Sequence, residues 1–176
     1  WGTEQNELNR LATPGPLAAM FDPPYTTWHV GIISGGTADN ITAKDCNFNM
    51  FYRAVPGDEP ADLNQLYFDK VNRVKASMQD IQPEADIILN RRFAVPPLKP
   101  EKDGEAEGLV RTMTGDNANH VVSYGTEAGQ FQDAGYSAVV CGPGDIAQAH
   151  QPNEFIEVAQ FEAGHKFMGD LLAGLT

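Results

Sequence analysis

The chain has 176 residues, of which 24 are acidic and 12 are basic, and its formal net charge at pH 7 is −12. Nucleic acids and anionic membrane surfaces bind basic patches, so this acidic balance argues against both as partners. Cys46 and Cys141 form no CxxC pair, which excludes a disulfide scaffold and a cysteine-rich zinc module and is consistent with a reducing cytoplasm. The sequence has no run of about 18 apolar residues, so no membrane-spanning segment is predicted.

Up to residue 95 the sequence predicts three strands and one long helix. Thr27–Ile33 is rich in β-branched and aromatic residues, and residues 46–53 alternate apolar and polar side chains, so both segments are predicted strands. Apolar residues then recur at helical spacing for about five turns after Pro60, which suits the first turn of a helix. A third strand is predicted over residues 86–95. This order predicts an α/β sandwich with an antiparallel sheet.

The proline-rich segment 96–104 is the best candidate for a linker. The pattern beyond it changes to alternating helices and strands, predicted as helix 104–114, strand His120–Ser123, helix Glu127–Ala134, strand Tyr136–Cys141 and helix Val158–Leu172. The strand that ends at Cys141 is continuously apolar, which is typical of burial on both faces of a parallel sheet. The sequence therefore predicts a two-part α/β chain that divides near residue 97.

The loop that follows this last strand carries the most informative residues. Its sequence from Gly142 to Glu154 is GPGDIAQAHQPNE, with two glycines followed by His150 and a carboxylate. Ligands in open α/β sheets bind beyond the carboxyl ends of the strands, so His150 lies where a functional residue is expected. Spacing alone does not establish a metal site, because zinc needs several ligands and a lone loop histidine is more often a surface residue.

Three segments, in order, resemble the acetylornithine deacetylase family. GPGDIAQAHQPNE is similar to that family's GPGxxxxAHxPDE signature, the stretch 123–128 (SYGTEA) to its GTEA segment, and 35–40 (GGTADN), followed by a strand ending in Arg53, to its GGxAxN…R pattern. The resemblance implies a catalytic α/β domain that holds two zinc or cobalt ions, with a smaller lid domain inserted in it. Residues 1–97 are expected to be the lid, lacking its first part, and residues 98–176 the returning segment of the catalytic domain.

The resemblance also implies roles for individual residues. His150 is expected to be a metal ligand, and Glu154 is a candidate for orienting its ring, with a solvated surface acid as the alternative. Substrate contacts are expected from six residues: Asn40, Arg53, Arg92, Glu127, Gly142 and Gly144. The alternatives stay open, since paired glycines also make plain tight turns, an acid at a helix start also stabilises the helix, and strand arginines are normally solvated.

The family's site also contains an HxD pair and adjacent glutamates, and this chain has neither. The catalytic base and its orienting acid are therefore expected in a preceding N-terminal half, and this chain alone is expected to be inactive. The intact protein is expected to hydrolyse N2-acetyl-L-ornithine to L-ornithine and acetate in arginine biosynthesis, as a homodimer formed through the lid. The alternatives are a non-catalytic dimerisation or binding module, and a deacylase of another N-acyl amino acid such as N-succinyl-diaminopimelate.

Overall fold

The computed structural model describes residues 1–174. These residues form an α/β structure, as predicted, with an antiparallel two-stranded sheet. The elements are α1 (Gly2–Leu11), β1 (Thr27–Gly35), β2 (Cys46–Arg53), α2 (Pro60–Gln79), α3 (Glu105–Thr114), α4 (Ala128–Asp133) and α5 (Val158–Gly174), with short 3-10 helices at Ala18–Met20 and Ile146–Gln148. The chain divides into two compact units: residues 1–94 with 121–123, and residues 95–120 with the stretch that begins at Tyr124.

The first unit is built on the antiparallel hairpin of β1 and β2, both of which the sequence predicted. Trp28 lies opposite Tyr52, and the centroids of their rings are 4.9 Å apart. His29 lies opposite Phe51 on the other face of the hairpin, at a centroid distance of 5.1 Å. The register shifts at Gly31, which makes β1 a bulged strand.

Trp28 is the centre of the small core of this unit, with 4% of its surface exposed. Its ring lies 4.9 Å from that of Trp1 at the start of α1 and 6.1 Å from that of Tyr67 in α2, so two helices pack on one face of the hairpin. The neighbouring Thr26 is fully buried, and its hydroxyl donates a hydrogen bond to the Asp58 carboxylate. Aromatic packing and a satisfied buried hydroxyl therefore stabilise the same layer.

The predicted helices form because their end signals agree with their apolar spacing. Pro60 begins α2, where the absence of its N–H removes no helical hydrogen bond, and Val71 is buried in the middle of the helix. Gly115 ends α3 in the left-handed conformation, at φ +72°, and its N–H donates to the carbonyl of Arg111. These boundaries lie within one or two residues of those predicted.

In the second unit the proline-rich segment lies against α4. Gly129 of α4 is buried, and a Cβ at this position would lie 2.1 Å from the carbonyl oxygen of Pro96, so only glycine permits the contact. The side-chain amide of Gln132 accepts a hydrogen bond from the backbone N–H of Lys99 and donates one to its carbonyl. The segment that follows the first unit is thus fixed to α4 by close approach and by two backbone hydrogen bonds.

Glu101 continues this attachment. Its carboxylate accepts hydrogen bonds from the hydroxyl of Ser137 at 2.5 Å, the side-chain amide of Gln132 at 2.7 Å and the backbone N–H of Ala138 at 3.1 Å. These three donors, the Ser137 hydroxyl foremost, lower the pKa of Glu101 below its usual value. We call this arrangement the Glu101 clasp.

Three predicted strands are absent from the part of the chain that the structure describes. Residues 86–95, 120–123 and 136–141 are all irregular, and the stretch 136–141 is exposed or half-buried rather than buried on both faces. A strand needs a neighbour for its N–H and C=O groups, and none of these segments is paired in residues 1–174. Within the same residues no helix has both the length and the apolarity required to cross a membrane.

Candidate functional site

The candidate site lies in the loop Gly142–Glu154, which we call the histidine loop. It borders a cavity of about 350 Å³. Both predicted glycines, Gly142 and Gly144, line this cavity, together with Tyr124, Val140, Cys141, Pro143, Asp145, Ile146, Gln148, Ala149, Glu154, Phe155 and Ile156. The structure therefore brings the glycine pair and the carboxylate of the predicted motif to one cavity.

Helix α5 positions the glycine end of the loop. Gly164 of α5 lies directly beneath Pro143, where an added Cβ would be 2.8 Å from the proline Cγ. One turn earlier, the side-chain oxygen of Gln160 lies 3.4 Å from the backbone nitrogen of Gly144, within hydrogen-bond range. Gly144 has φ +99°, which residues with a side chain rarely adopt. Any other residue at this position would strain the backbone.

His150 is exposed and has φ +59°, a left-handed conformation that is uncommon for residues with a side chain, although histidine adopts it more often than most. Its backbone N–H donates a hydrogen bond to the Glu154 carboxylate at 2.9 Å. The bond expected between Glu154 and the imidazole ring is therefore not formed, because the carboxylate contacts the backbone instead. The ring nitrogens have no partner among residues 1–174. Residues held in uncommon backbone conformations cluster at functional sites, which supports a role for this histidine.

The donors of the described residues do not complete a metal site. Among residues 1–174 no group of three or more His, Cys, Asp and Glu side chains is close enough to hold a metal ion. A zinc site takes three or four protein ligands, so His150, with its unpartnered imidazole, fits as one ligand and no more. The role of His150 as a metal ligand stays a prediction.

The predicted lid residues all lie in the first unit and are exposed. Arg53 ends β2, and its guanidinium carbon lies 6.0 Å from the ring centroid of Phe51. Asn40 lies in the irregular segment after β1, and Arg92 lies in the irregular stretch that was predicted to be a strand. None of the three forms a hydrogen bond or an ion pair with another predicted site residue among residues 1–174.

Arg91, which adjoins Arg92, has an electrostatic partner in the first unit. Burial raises the pKa of Tyr52 above its usual value, and the positive charge of Arg91 opposes that rise. Tyr52 also donates a hydrogen bond to the side-chain oxygen of Asn64 at 3.1 Å. Of the two adjacent arginines, Arg91 is therefore the one whose charge affects the core of this unit.

Glu127 caps α4 through its backbone, since its carbonyl accepts hydrogen bonds from the N–H groups of Gln130 and Phe131. Its exposed side chain makes no capping hydrogen bond. From the same SYGTEA segment, Tyr124 lines the cavity and Glu127 does not. Tyr124 is thus a cavity residue that the sequence reasoning missed.

Gln160 and Gly164 were also missed, since both lie outside the quoted motifs. A glycine in the interior of a predicted helix is the one signal that pointed to a close contact at Gly164. No sequence pattern pointed to Gln160.

Comparisons with known proteins agree on one group of relatives. Residues 3–79 match the family model of the peptidase dimerisation domain. The chain is 36% identical over 140 residues to an acetylornithine deacetylase of Myxococcus xanthus, which aligns 78% of this chain with 35% of the relative. It is 34% identical over 149 residues to the acetylornithine deacetylase of Proteus mirabilis, an alignment that covers 85% of this chain and 37% of the relative. It is 32% identical over 158 residues to the acetylornithine deacetylase of Yersinia pestis, covering 86% of this chain and 38% of the relative. The chain thus spans little more than a third of the length of these relatives.

Proposed function

We propose that the complete protein is an amide hydrolase, on the premise that this chain belongs to the peptidase and amidohydrolase family of the acetylornithine deacetylases. Its substrate is N2-acetyl-L-ornithine, and its products are L-ornithine and acetate in arginine biosynthesis. The observation that carries the proposal is the 36% identity over 140 residues to a relative named for this activity. Because the chain spans about 35% of that relative, the activity is proposed for the complete protein, of which these residues are part.

Within that protein we propose that His150 supplies one ligand to a dinuclear zinc or cobalt site. Residues outside this chain supply the other ligands and the catalytic base. With metal bound, such a site would supply Lewis-acid chemistry, which activates water and polarises the carbonyl of an amide. The contribution of this chain to the site is then a single imidazole, whose direction depends on the conformation of the histidine loop.

The other residues of this chain bind and orient the substrate in the proposal. Gly142 carries a backbone N–H with no acceptor among residues 1–174, so it is a candidate donor to a substrate carbonyl oxygen. Arg53 and Asn40 are proposed to hold the substrate carboxylate, because a guanidinium binds a carboxylate through two parallel hydrogen bonds. Glu127 and Arg92 are proposed as further substrate contacts, which would form only in the complete protein.

A second candidate function follows from the match of residues 3–79 to a peptidase dimerisation domain. We propose that this part of the chain forms a homodimer in the complete protein. If dimerisation is its sole activity, the protein self-associates but neither retains metal nor hydrolyses an N-acyl amino acid. The two functions therefore differ in measurable properties.

The deciding experiment measures zinc content and hydrolysis of N2-acetylornithine for the complete protein and for the 176-residue chain. We expect zinc and turnover in the first and neither in the second. A complete protein without hydrolytic activity would contradict the amide hydrolase. Faster hydrolysis of N-succinyl-diaminopimelate would keep the reaction class and change the substrate. Stoichiometric zinc in the isolated chain would show that its own donors form a site.

The role of His150 is tested by replacing it with alanine in the complete protein. Loss of a direct ligand removes more affinity than loss of a supporting residue, so we expect zinc affinity to fall by at least about 100-fold. His165→Ala is the matched control, because His165 is an exposed histidine on α5 whose ring has no hydrogen-bond or ion-pair partner among residues 1–174. Equal zinc affinity in the two variants would refute the ligand role.

A further inference from the structure

We infer that Glu154 is the positioning residue of His150, and that it acts through the histidine backbone and not through its ring. The inference rests on the proposed function, because it assigns Glu154 the task of presenting a ligand. It does not depend on which metal is bound or on which N-acyl amino acid is hydrolysed.

The segment from His150 to Glu154 is closed by two hydrogen bonds. The Glu154 carboxylate accepts from the His150 N–H at 2.9 Å, and the Glu154 N–H donates to the carbonyl of Gln151 at 3.1 Å. The first bond joins a side chain to the backbone four residues earlier, and the second forms a turn between them. Glu154 is therefore the residue at which both bonds meet, and its side chain is the only described acceptor of the His150 N–H within residues 1–174.

The conformation that these bonds enclose needs support. His150 has φ +59°, and a residue with a Cβ keeps such a backbone only when its surroundings compensate for the strain. Without its acceptor, His150 would relax toward the ordinary negative φ, a rotation of roughly 120°. Because the ring follows the Cα–Cβ bond, this rotation would redirect the imidazole away from a metal ion whose other ligands stay in place.

The contact identifies which property of Glu154 matters. A hydrogen bond to a backbone N–H needs an acceptor oxygen, which glutamine also has, whereas orientation of a ring by charge or transfer of a proton needs a carboxylate. Glu154→Gln therefore keeps the proposed role, and Glu154→Ala removes it. Glu162→Ala is the matched control, since Glu162 is an exposed glutamate of α5 whose side chain forms no hydrogen bond among residues 1–174.

The first measurement is amide hydrogen exchange in the complete protein, labelled with 15N at histidine. The His150 cross-peak is the one that disappears in His150→Ala. We expect its exchange rate to rise about tenfold in Glu154→Ala and to stay within about threefold of the wild type in Glu154→Gln. Cross-peaks of His29, His120 and His165 should not change. An unchanged His150 rate in Glu154→Ala overturns the inference.

The second measurement is zinc affinity of the same variants, by competition with a chelator. We expect about a tenfold loss in Glu154→Ala and near wild-type affinity in Glu154→Gln and Glu162→Ala. Equal losses in the alanine and glutamine variants would assign the effect to charge and overturn the inference. If His150→Ala retains zinc while the exchange result holds, the ligand role in the proposed function fails and the backbone contact stands, so the two failures are distinguishable.

Discussion

The hairpin of the first unit and the histidine loop of the second are held by different interactions. In the hairpin, Trp28 is almost fully buried among aromatic rings of α1, β2 and α2. In the loop, the exposed His150 depends on one hydrogen bond, and Pro143 rests on a helix position that has no side chain. A buried aromatic core spreads its stabilisation over many contacts, whereas the geometry of the loop depends on a few, so single substitutions should act differently on the two regions.

The largest effect is expected from Trp28→Ala. Removal of a buried tryptophan leaves a cavity and loses aromatic contacts, so the free energy of unfolding should fall by about 4 kcal/mol. His29→Ala removes an exposed side chain on the opposite face, whose ring contacts that of Phe51, and should change it by less than about 1 kcal/mol. Urea unfolding followed by circular dichroism measures both. Similar losses in the two variants would contradict a core centred on Trp28.

Smaller changes in the free energy of unfolding are expected from alanine substitutions at two glycines of α5, and the two changes should have opposite signs. Gly169→Ala meets nothing within 4 Å and should stabilise the helix by up to about 1 kcal/mol. Gly164→Ala places its Cβ 2.8 Å from Pro143, and this overpacking should lower the free energy of unfolding by about 1–2 kcal/mol. Thermal unfolding compares the two variants, and the His150 amide resonance should shift in Gly164→Ala alone, because only that substitution presses on Pro143 of the histidine loop. Stabilisation by both substitutions would show that Pro143 does not rest on α5.

The smallest effect is expected from the Glu101 clasp and depends on pH. The pKa of Glu101 is lowered in the folded chain by its three donors, so its stabilising contribution is present above the unfolded pKa of about 4 and is lost as pH falls through the folded pKa. Glu101→Gln should therefore be less stable than the wild type at pH 7, and the difference should shrink in acid.

Urea midpoints at pH 7 and pH 3 measure this change for the Glu101 variant. Glu84→Gln is the control, because Glu84 is exposed, lies outside the helices and forms no side-chain hydrogen bond among residues 1–174. Its difference in stability from the wild type should not change between the two pH values. A difference between wild type and Glu101→Gln that is constant with pH would contradict the clasp.

Elements fixed by local signals were predictable from the sequence. The hairpin and α2, α3 and α5 form where alternation, helical spacing and end residues agree. Residues 86–95 and 136–141 carry equally good strand patterns and form no strand. A segment rich in apolar residues indicates a preference for a strand, but a strand also needs the backbone of a second segment at hydrogen-bond distance, and the sequence of one segment does not reveal that neighbour.

The candidate site also has a part that the sequence predicted and a part that it did not. The motif led to Gly142, Gly144 and His150, and the structure brings the glycines to one cavity and gives His150 an uncommon backbone. The partner of Glu154 could not be predicted, because sequence spacing does not distinguish a bond to the ring from a bond to the backbone of the same residue. Whether Glu154 contacts the ring or the backbone depends on the conformation of the His150–Glu154 segment, including φ at His150, and the sequence does not show that conformation.

The register shift at Gly31 divides β1 into two stretches of opposite parity. Before it, the even-numbered Trp28 and Val30 share one face; after it, the odd-numbered Ile33 joins that face opposite Phe48, and Ile32 turns to the other. One period-two pattern therefore does not describe the whole of β1, because residues on either side of Gly31 follow opposite parities. In a related chain that lacks residue 31, plain alternation would keep Ile32 and Ile33 on the faces they have here, because Gly31 is the extra residue of the bulge. An alignment gap at this position therefore removes the bulge without exchanging the two faces of the strand.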